Sequence, residues 1–187
     1  MTPAPVTGWH YRRVVVMERR LDGLPPEPAA GLPIRLAVLT PDDLPRFASF
    51  RPDLDPRVIR DRLAAGHRCF AAWHEDRIVH AGWASEDRAW VEFLECELPL
   101  EPGDVYQFDS FTLPAFRGAG VAGARVAWMA RFFRDRGARR LLAVVWPGNP
   151  AAFRPLEKAG YRRAGSLRVL RMGPWRRVVH TRSRSRQ

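Results

Sequence analysis

The stretch "FTLPAFRGAGVAGARVAWMARFF", Phe111 to Phe133, constrains the fold more than any other part of the chain. An apolar run ends at a proline, passes an arginine and two glycines, and resumes with helical spacing. A strand, a tight turn and a helix start therefore fall within a few residues of one another. The helix reads from Val121 to Arg136 and is closed by Gly137. Its Ala122, Val126, Met129 and Phe133 share one face, enough to pack on a sheet. Arg117-Gly118-Ala119-Gly120-Val121-Ala122 reads as an anion cradle. The glycines let backbone N–H groups approach a ligand, the helix start offers unpaired donors at the positive end of its dipole, and Arg117 adds a cation. A diphosphate fits; so does a glycine-rich turn that binds nothing. A Rossmann site would need an acid at the end of the next strand, where "LLAVVW" runs instead into Trp-Pro-Gly-Asn. A Walker loop would need Gly-Lys-Ser/Thr, and none occurs.

The rest of the chain reads as one α/β (α+β) domain. "WHYRRVVVMERRL" is strand-like and "DGLPPEPAAGLP" a proline-rich link, together an N-terminal arm over 1–33. The main domain spans 34–180. "IRLAVL" is its first strand, and "TPDDLPRFASF" and "DPRVIRDRLAAGH" are two short helices. "CFAAWH" and "IVHAGWAS" form a hairpin around "EDR"; "WVEFLECEL" and "VYQFDSFTLP" form a second pair around "PLEPGD". "RRLLAVVWP" is a continuous buried strand. Asn149-Pro150 caps a further helix that Pro155 is expected to kink. "YRRAGSLRVLRM" and "WRRVVHTR" close the domain, and residues 181–187 form a disordered basic tail.

No window is apolar for the length of a membrane span, and the N-terminus lacks a basic-then-apolar signal, which places the chain in the cytoplasm. Cys69 and Cys96 read as buried free thiols. The histidines (10, 67, 74, 80 and 180) show neither metal spacing nor a nucleophile context, and His74 and His80 read as ordinary strand residues. The net charge of +11 is unevenly placed. Residues 1–116 carry 13 arginines against 18 acids, whereas 117–187 carry 18 basic residues against Asp135 and Glu157. Such a split permits a basic nucleic-acid-binding module, although the arginines lack the interleaved aromatics of a stacking platform.

Two separated motifs resemble those of the GNAT superfamily of N-acetyltransferases. Its Arg/Gln-x-x-Gly-x-Gly/Ala signature is matched by Arg117, Gly120 and Ala122. Its later Asn-x-x-Ala…Glu-Lys-x-Gly-Phe/Tyr signature is matched by Asn149, Ala152, Glu157, Lys158, Gly160 and Tyr161. The resemblance covers roughly 34–175 in element order and implies a mixed, largely antiparallel twisted sheet of about seven strands, with helices on both faces. The strand before the glycine turn and "LLAVVW" would be a central parallel pair that splays apart. Acetyl-CoA, or a longer acyl-CoA, would lie in that gap as co-substrate, with no metal. Its pantetheine arm would pair with Phe111, Thr112 and Leu113, its pyrophosphate would sit on Arg117, Gly118, Ala119, Gly120, Val121 and Ala122, and Asn149 would contact it from the second helix start.

The resemblance further implies acyl transfer to a primary amine by direct attack on the thioester. The protein must accept a proton from the ammonium, polarise the carbonyl and deal with the leaving thiolate. Asp109, with strand alternation partners Gln107 and Phe111, is the candidate catalytic base. Leu156 stands where many family members carry a tyrosine acid, and Tyr106 and Ser110 are expected on the face opposite Asp109. Residues 75–109 hold ten acids, suggesting a cationic amine acceptor, whether small molecule or peptide. An acyl-carrier-protein donor delivers the same pantetheine thioester and stays open, as do a homodimer and a role for the arm at the acceptor cleft.

Overall fold

The computed structural model describes residues 9–23 and 30–182; residues 1–8, much of the proline-rich link and residues 183–187 of the expected tail lie outside them. The strands are β1 (Trp9–Arg20), β2 (Arg35–Val38), β3 (Arg68–His74), β4 (Arg77–Ser85), β5 (Trp90–Val91), β6 (Cys96–Glu97), β7 (Asp104–Thr112), β8 (Arg140–Val145), β9 (Arg162–Met172) and β10 (Trp175–Arg182). The helices are α1 (Leu44–Phe50), α2 (Pro56–Ala64), α3 (Val121–Arg134) and α4 (Phe153–Lys158). Eight strands form one sheet in the order β10-β9-β1-β8-β7-β4-β3-β2, antiparallel throughout except between β7 and β8.

Helices cover both faces, and the alternation along each strand decides what each face meets. On one face Met17, Phe70, Val105, Leu141 and Ala143 pack against Val126, Met129 and Phe133 of α3 and Phe153 of α4. On the other, Cys69, Ala71, Trp73, Ile78, Ala81 and Trp83 pack under Phe47 and Phe50 of α1 and Ile59 of α2. Farther along that second face, Val14, Val16, Leu142, Leu167 and Val169 are covered by Ala89, Val91, Leu94 and Leu98. Both cysteines are buried and free, as their strand-like surroundings suggest.

Four local expectations change. The N-terminal strand is an inner strand, inserted between β8 and β9, so Val14 to Arg19 are buried on both faces and "VVVM" does not alternate with polar residues. "WVEFLECEL" is not the partner of the strand that follows it. It breaks into β5 and β6 around a 3-10 turn at Glu92–Leu94, Glu95 adopts φ 52°, and the whole forms a cover over the sheet. Pro155 lies in the first turn of α4, where its missing N–H breaks no established ladder; a 3-10 turn over Pro150–Ala152 precedes it in place of a kink. Thr181 and Arg182, expected in the tail, are the last two residues of β10.

Met17 is wholly buried where β1 meets α3. We expect Met17→Ala to cost about 2–5 kcal/mol of unfolding free energy, read from the denaturant midpoint; a surface arm would lose almost nothing.

Candidate active site

The site begins where the parallel pair comes apart. β7 and β8 are in register only at Asp104↔Arg140, Val105↔Leu141 and Tyr106↔Leu142. Past that point β7 runs on to Thr112 and β8 to Val145 without pairing, leaving a wedge between them. The closed end is clamped by Arg140, whose guanidinium donates to Asp104 at 2.7 and 2.8 Å and to Glu101 at 3.0 Å. The Asp104 hydrogen bonds push the Arg140 pKa up, so the clamp is charged at any working pH.

On its other side β7 carries a β-bulge. Trp83 faces Phe108 and Ala81 faces Phe111, so Gly82 opposes both Asp109 and Ser110. Asp109 supplies the bulge with φ 44°, a left-handed conformation that aspartate tolerates better than most residues. The extra residue resets the alternation, which corrects the expectation that Gln107, Asp109 and Phe111 share a face. Gln107 and Ser110 bond to Arg125 of α3, and Thr112 to His80. Asp109 turns the other way to Arg51 and Arg62, and Phe111 to Phe50. Ser110 is thus on the α3 side together with Gln107, not with Tyr106.

Asp109 lies between two guanidiniums. One carboxylate oxygen accepts from Arg51 at 3.0 Å and the other from Arg62 at 2.5 Å. Arg51, in the turn after α1, also grips Asp53 at 2.8 and 2.9 Å and lies 4.7 Å over the Phe111 ring. Arg62, in α2, lies over Trp83 and Phe108. The bulge carboxylate is therefore fixed in place by the two helices that roof this side of the wedge. Nearby, His67 packs edge-on to Phe108 at 5.3 Å, and its buried Nδ1 has no hydrogen-bond partner among the described residues. Burial, then the Arg62 charge, lowers the His67 pKa.

Arg125 holds the opposite wall. It is completely buried, and its planar head lies against Gly82, where a Cβ would come within 2.8 Å of a guanidinium nitrogen. It donates to His80 Nε2 at 3.1 Å, Ser110 Oγ at 3.1 Å and Gln107 Oε1 at 3.3 Å. Gln107 also accepts from the buried Tyr161 hydroxyl at 3.2 Å. Burial, then the Arg125 charge, pushes the His80 pKa well below its usual value, so the ring is neutral at pH 7. Since Nε2 accepts from Arg125, the ring proton belongs on Nδ1, which donates to Thr112 Oγ1 at 2.7 Å. His80 is therefore a fixed link in this wall, not an ordinary strand residue.

β7 ends in a 3-10 turn at Pro114–Phe116 and passes into the glycine cradle. Gly118 and Gly120 adopt φ 82° and 76°, where a side chain would be strained. The first bond inside α3 runs from Ala124 N–H to Gly120 C=O, so the N–H groups of Gly118 to Gly123 precede the helical ladder. Arg117 leans back on the Thr112 carbonyl at 3.4 Å. Phe116, Ala119 and Val121 pack with Leu32, Leu36 and Ala72, and Gly31 N–H donates to Ala119 C=O at 2.9 Å, bracing the turn from behind. Across the wedge, Asn149 is exposed, and its side chain does not cap the helix start as expected. Trp146, half exposed, packs its ring on Gly148 and approaches Phe93 at 6.1 Å. Leu156 packs on the α3 core, and Tyr106 is buried and stacked on Phe108.

Residues 37–161 match the model of the acetyltransferase (GNAT) family. The chain belongs to the GNAT family of acetyltransferases. No curated protein matches it in sequence. Among solved structures, it resembles a putative GNAT-family acetyltransferase from Novosphingobium aromaticivorans at 17% identity, covering 90% of this chain and 68% of that one with a TM-score of 0.60. A GNAT-family acetyltransferase from Colwellia psychrerythraea is 13% identical, with 89% and 57% covered and a TM-score of 0.60. An aminoglycoside N-acetyltransferase in complex with CoA is 20% identical, with 69% and 92% covered and a TM-score of 0.51.

The residues of this GNAT chain suit a pantetheine diphosphate. The free N–H groups at the α3 start are the donors a diphosphate needs, and the unpaired edge beyond Tyr106 is what an extended amide chain can pair with. Phe111, Thr112 and Leu113 lead straight from that edge to Arg117, Gly118, Ala119, Gly120, Val121 and Ala122, and Asn149, exposed and making no side-chain cap hydrogen bond, follows the end of β8. Asp109 is at the bulge between the two. Sequence reasoning does not single out Arg51, Arg62 or Arg125, and it reads His80 as an ordinary strand residue. For Arg125 one local signal existed: it lies one turn before the buried Met129 on α3.

Because the fold holds His80 neutral where the unfolded chain would protonate it, unfolding takes up a proton below about pH 6.5. Stability should therefore fall as pH is lowered from about 6.5, by up to about 1.4 kcal/mol per pH unit from this group. His80→Gln should flatten that slope in denaturant titrations run at successive pH values, and an unchanged slope would contradict the assignment.

Proposed function

We propose that this chain transfers an acetyl group from acetyl-CoA to the primary amine of a small molecule. The observation that carries the proposal is the wedge between β7 and β8 opening onto the glycine cradle at the start of α3. A thioester gripped along 111–113 and held by its diphosphate at 117–122 would present its carbonyl at the bulge, between the Asp109 wall and the Ser110 wall. The amine would enter from the side roofed by α1 and α2, form the new N–C bond, and expel the thiolate as the C–S bond breaks.

Asp109 is the base we assign. It presents the carboxylate of the bulge itself, and the two guanidiniums hold it at one position, where an incoming ammonium would exchange with the Arg62 contact. His67, neutral and with an unpartnered buried nitrogen beside Phe108, is the second candidate for the same proton. Asp109→Asn should lower kcat by about 10²–10⁴-fold with CoA affinity nearly unchanged. If His67→Gln does so instead, the base is the imidazole.

The aminoglycoside acetyltransferases among the structural neighbours, one in complex with sisomicin, support a small polar amine as the acceptor class. Strong cationic character has less support, because most of the acids in 75–109 are already paired. Glu86, Glu92, Glu95, Glu97, Glu101, Asp104 and Asp109 each meet an arginine, several of them from the basic half of the chain. The test is thiol release from acetyl-CoA, longer acyl-CoA and acyl-loaded carrier protein across a panel of amines that includes aminoglycosides. Release only with acetyl-CoA and small amines is the expected result. Absence of release with every donor would overturn the proposal.

A further inference from the structure

Arg125 poses a physical problem that transfer of an acetyl group solves. A guanidinium excluded from water is costly unless a carboxylate neutralises it, and none of the described residues does so. The groups facing it from every packed element are neutral at pH 7: Cys69 of β3, His80 of β4, Gln107 and Ser110 of β7, Met129 of α3, and Tyr161 before β9. Burial pushes the Arg125 pKa down only to about 10, so the charge persists at neutral pH. The nearest carboxylate of the site, Asp109, turns to the other face and is held there by Arg51 and Arg62. One contact leads outward. Ser110 is exposed at the bulge, and its Oγ accepts from Arg125 Nη2 at 3.1 Å, so its own O–H proton turns away from the guanidinium and is left to donate to another group.

Resting on the acyl-CoA reading, we propose that Ser110, polarised by the buried charge of Arg125, holds the leaving CoA sulfur as a thiolate. Ser110 is the catalytic residue, donating a hydrogen bond to sulfur, and Arg125 is a positioning residue that acts through it. As the amine nitrogen bonds to the acetyl carbon, the C–S electron pair stays on sulfur. The ammonium gives one proton to the base before attack, its nitrogen loses a second to solvent once the N–C bond has formed, and the thiolate takes a proton from solvent only after release. No acidic side chain is then required where Leu156 stands, because a fixed cation does by charge what a tyrosine would do by proton transfer.

The test is the ionisation of the thiol in the binary complex with CoA, followed by the ultraviolet absorbance of thiolate against pH, with CoA affinity measured in parallel. In the wild-type protein the bound thiol should ionise at lower pH than free CoA. Ser110→Ala and Arg125→Met should each reduce the thiolate-to-thiol ratio about tenfold or more at fixed pH while leaving CoA affinity within about threefold, and Arg125→Lys should restore part of the effect. Should Arg125→Met not fold, the exposed Ser110→Ala carries the measurement alone. CoA that binds with a thiol ionising as it does in solution, or equally in wild type and Ser110→Ala, overturns the inference and leaves the acyl-CoA reading intact. A wild-type protein that binds no CoA overturns both.

Discussion

The centre of this structure depends on one guanidinium that has no counter-ion among the described residues. Arg125 lies flat against Gly82, and that contact requires a glycine on β4 because any Cβ would meet the guanidinium. From there it fixes the polar side chains of β7 one after another: Gln107 directly, Ser110 directly, and Thr112 through the tautomer it imposes on His80. A hydrocarbon in its place would pack at less cost. Its retention costs stability in the middle of a sheet and yields an ordered row of polar groups along the strand that borders the wedge.

The bulge makes that row possible. Without the extra residue, Asp109 would share a face with Gln107 and crowd the buried cation, and the obvious outcome would be an internal ion pair. With it, negative and positive charges are parted across the strand. Asp109 is turned to Arg51 and Arg62 under α1 and α2, while Arg125 stays alone under α3. The same separation is absent at the closed end of the wedge, where Arg140 and Asp104 are allowed to meet and clamp the two strands together. One parallel pair is thus locked by charge at one end and held open at the other.

What could be read in advance was local. Gly118, Gly120 and the helix start beyond them follow from backbone conformations that glycine alone adopts freely and from periodic apolar spacing, and all of it formed as expected. The bulge left no comparable trace, because its left-handed residue is an aspartate flanked by ordinary strand residues, and a slip of one position reverses every side chain after it. Arg125 was hidden for a different reason. A charged residue on a helix normally faces water, so a place one turn from Met129 does not by itself mark it as buried. "WVEFLECEL" misled through alternation that was real, but spent on a short cover with Glu95 turning the chain. The partners of β1 could not be read at all, since strand order is a property of the whole sheet.

That last feature governs how the chain can mature. β1 leaves the ribosome well before β8 and β9, the strands it pairs with: Val15 meets Val145, and Val14 meets Leu167. Until those strands emerge, an apolar segment with two unsatisfied edges must wait. The β2–β3–β4–β7 half can assemble from close neighbours, while the other half needs the chain from β1 through β9. Such long-range pairing slows folding, and it sets the emergence of β9 as the moment at which the sheet can close.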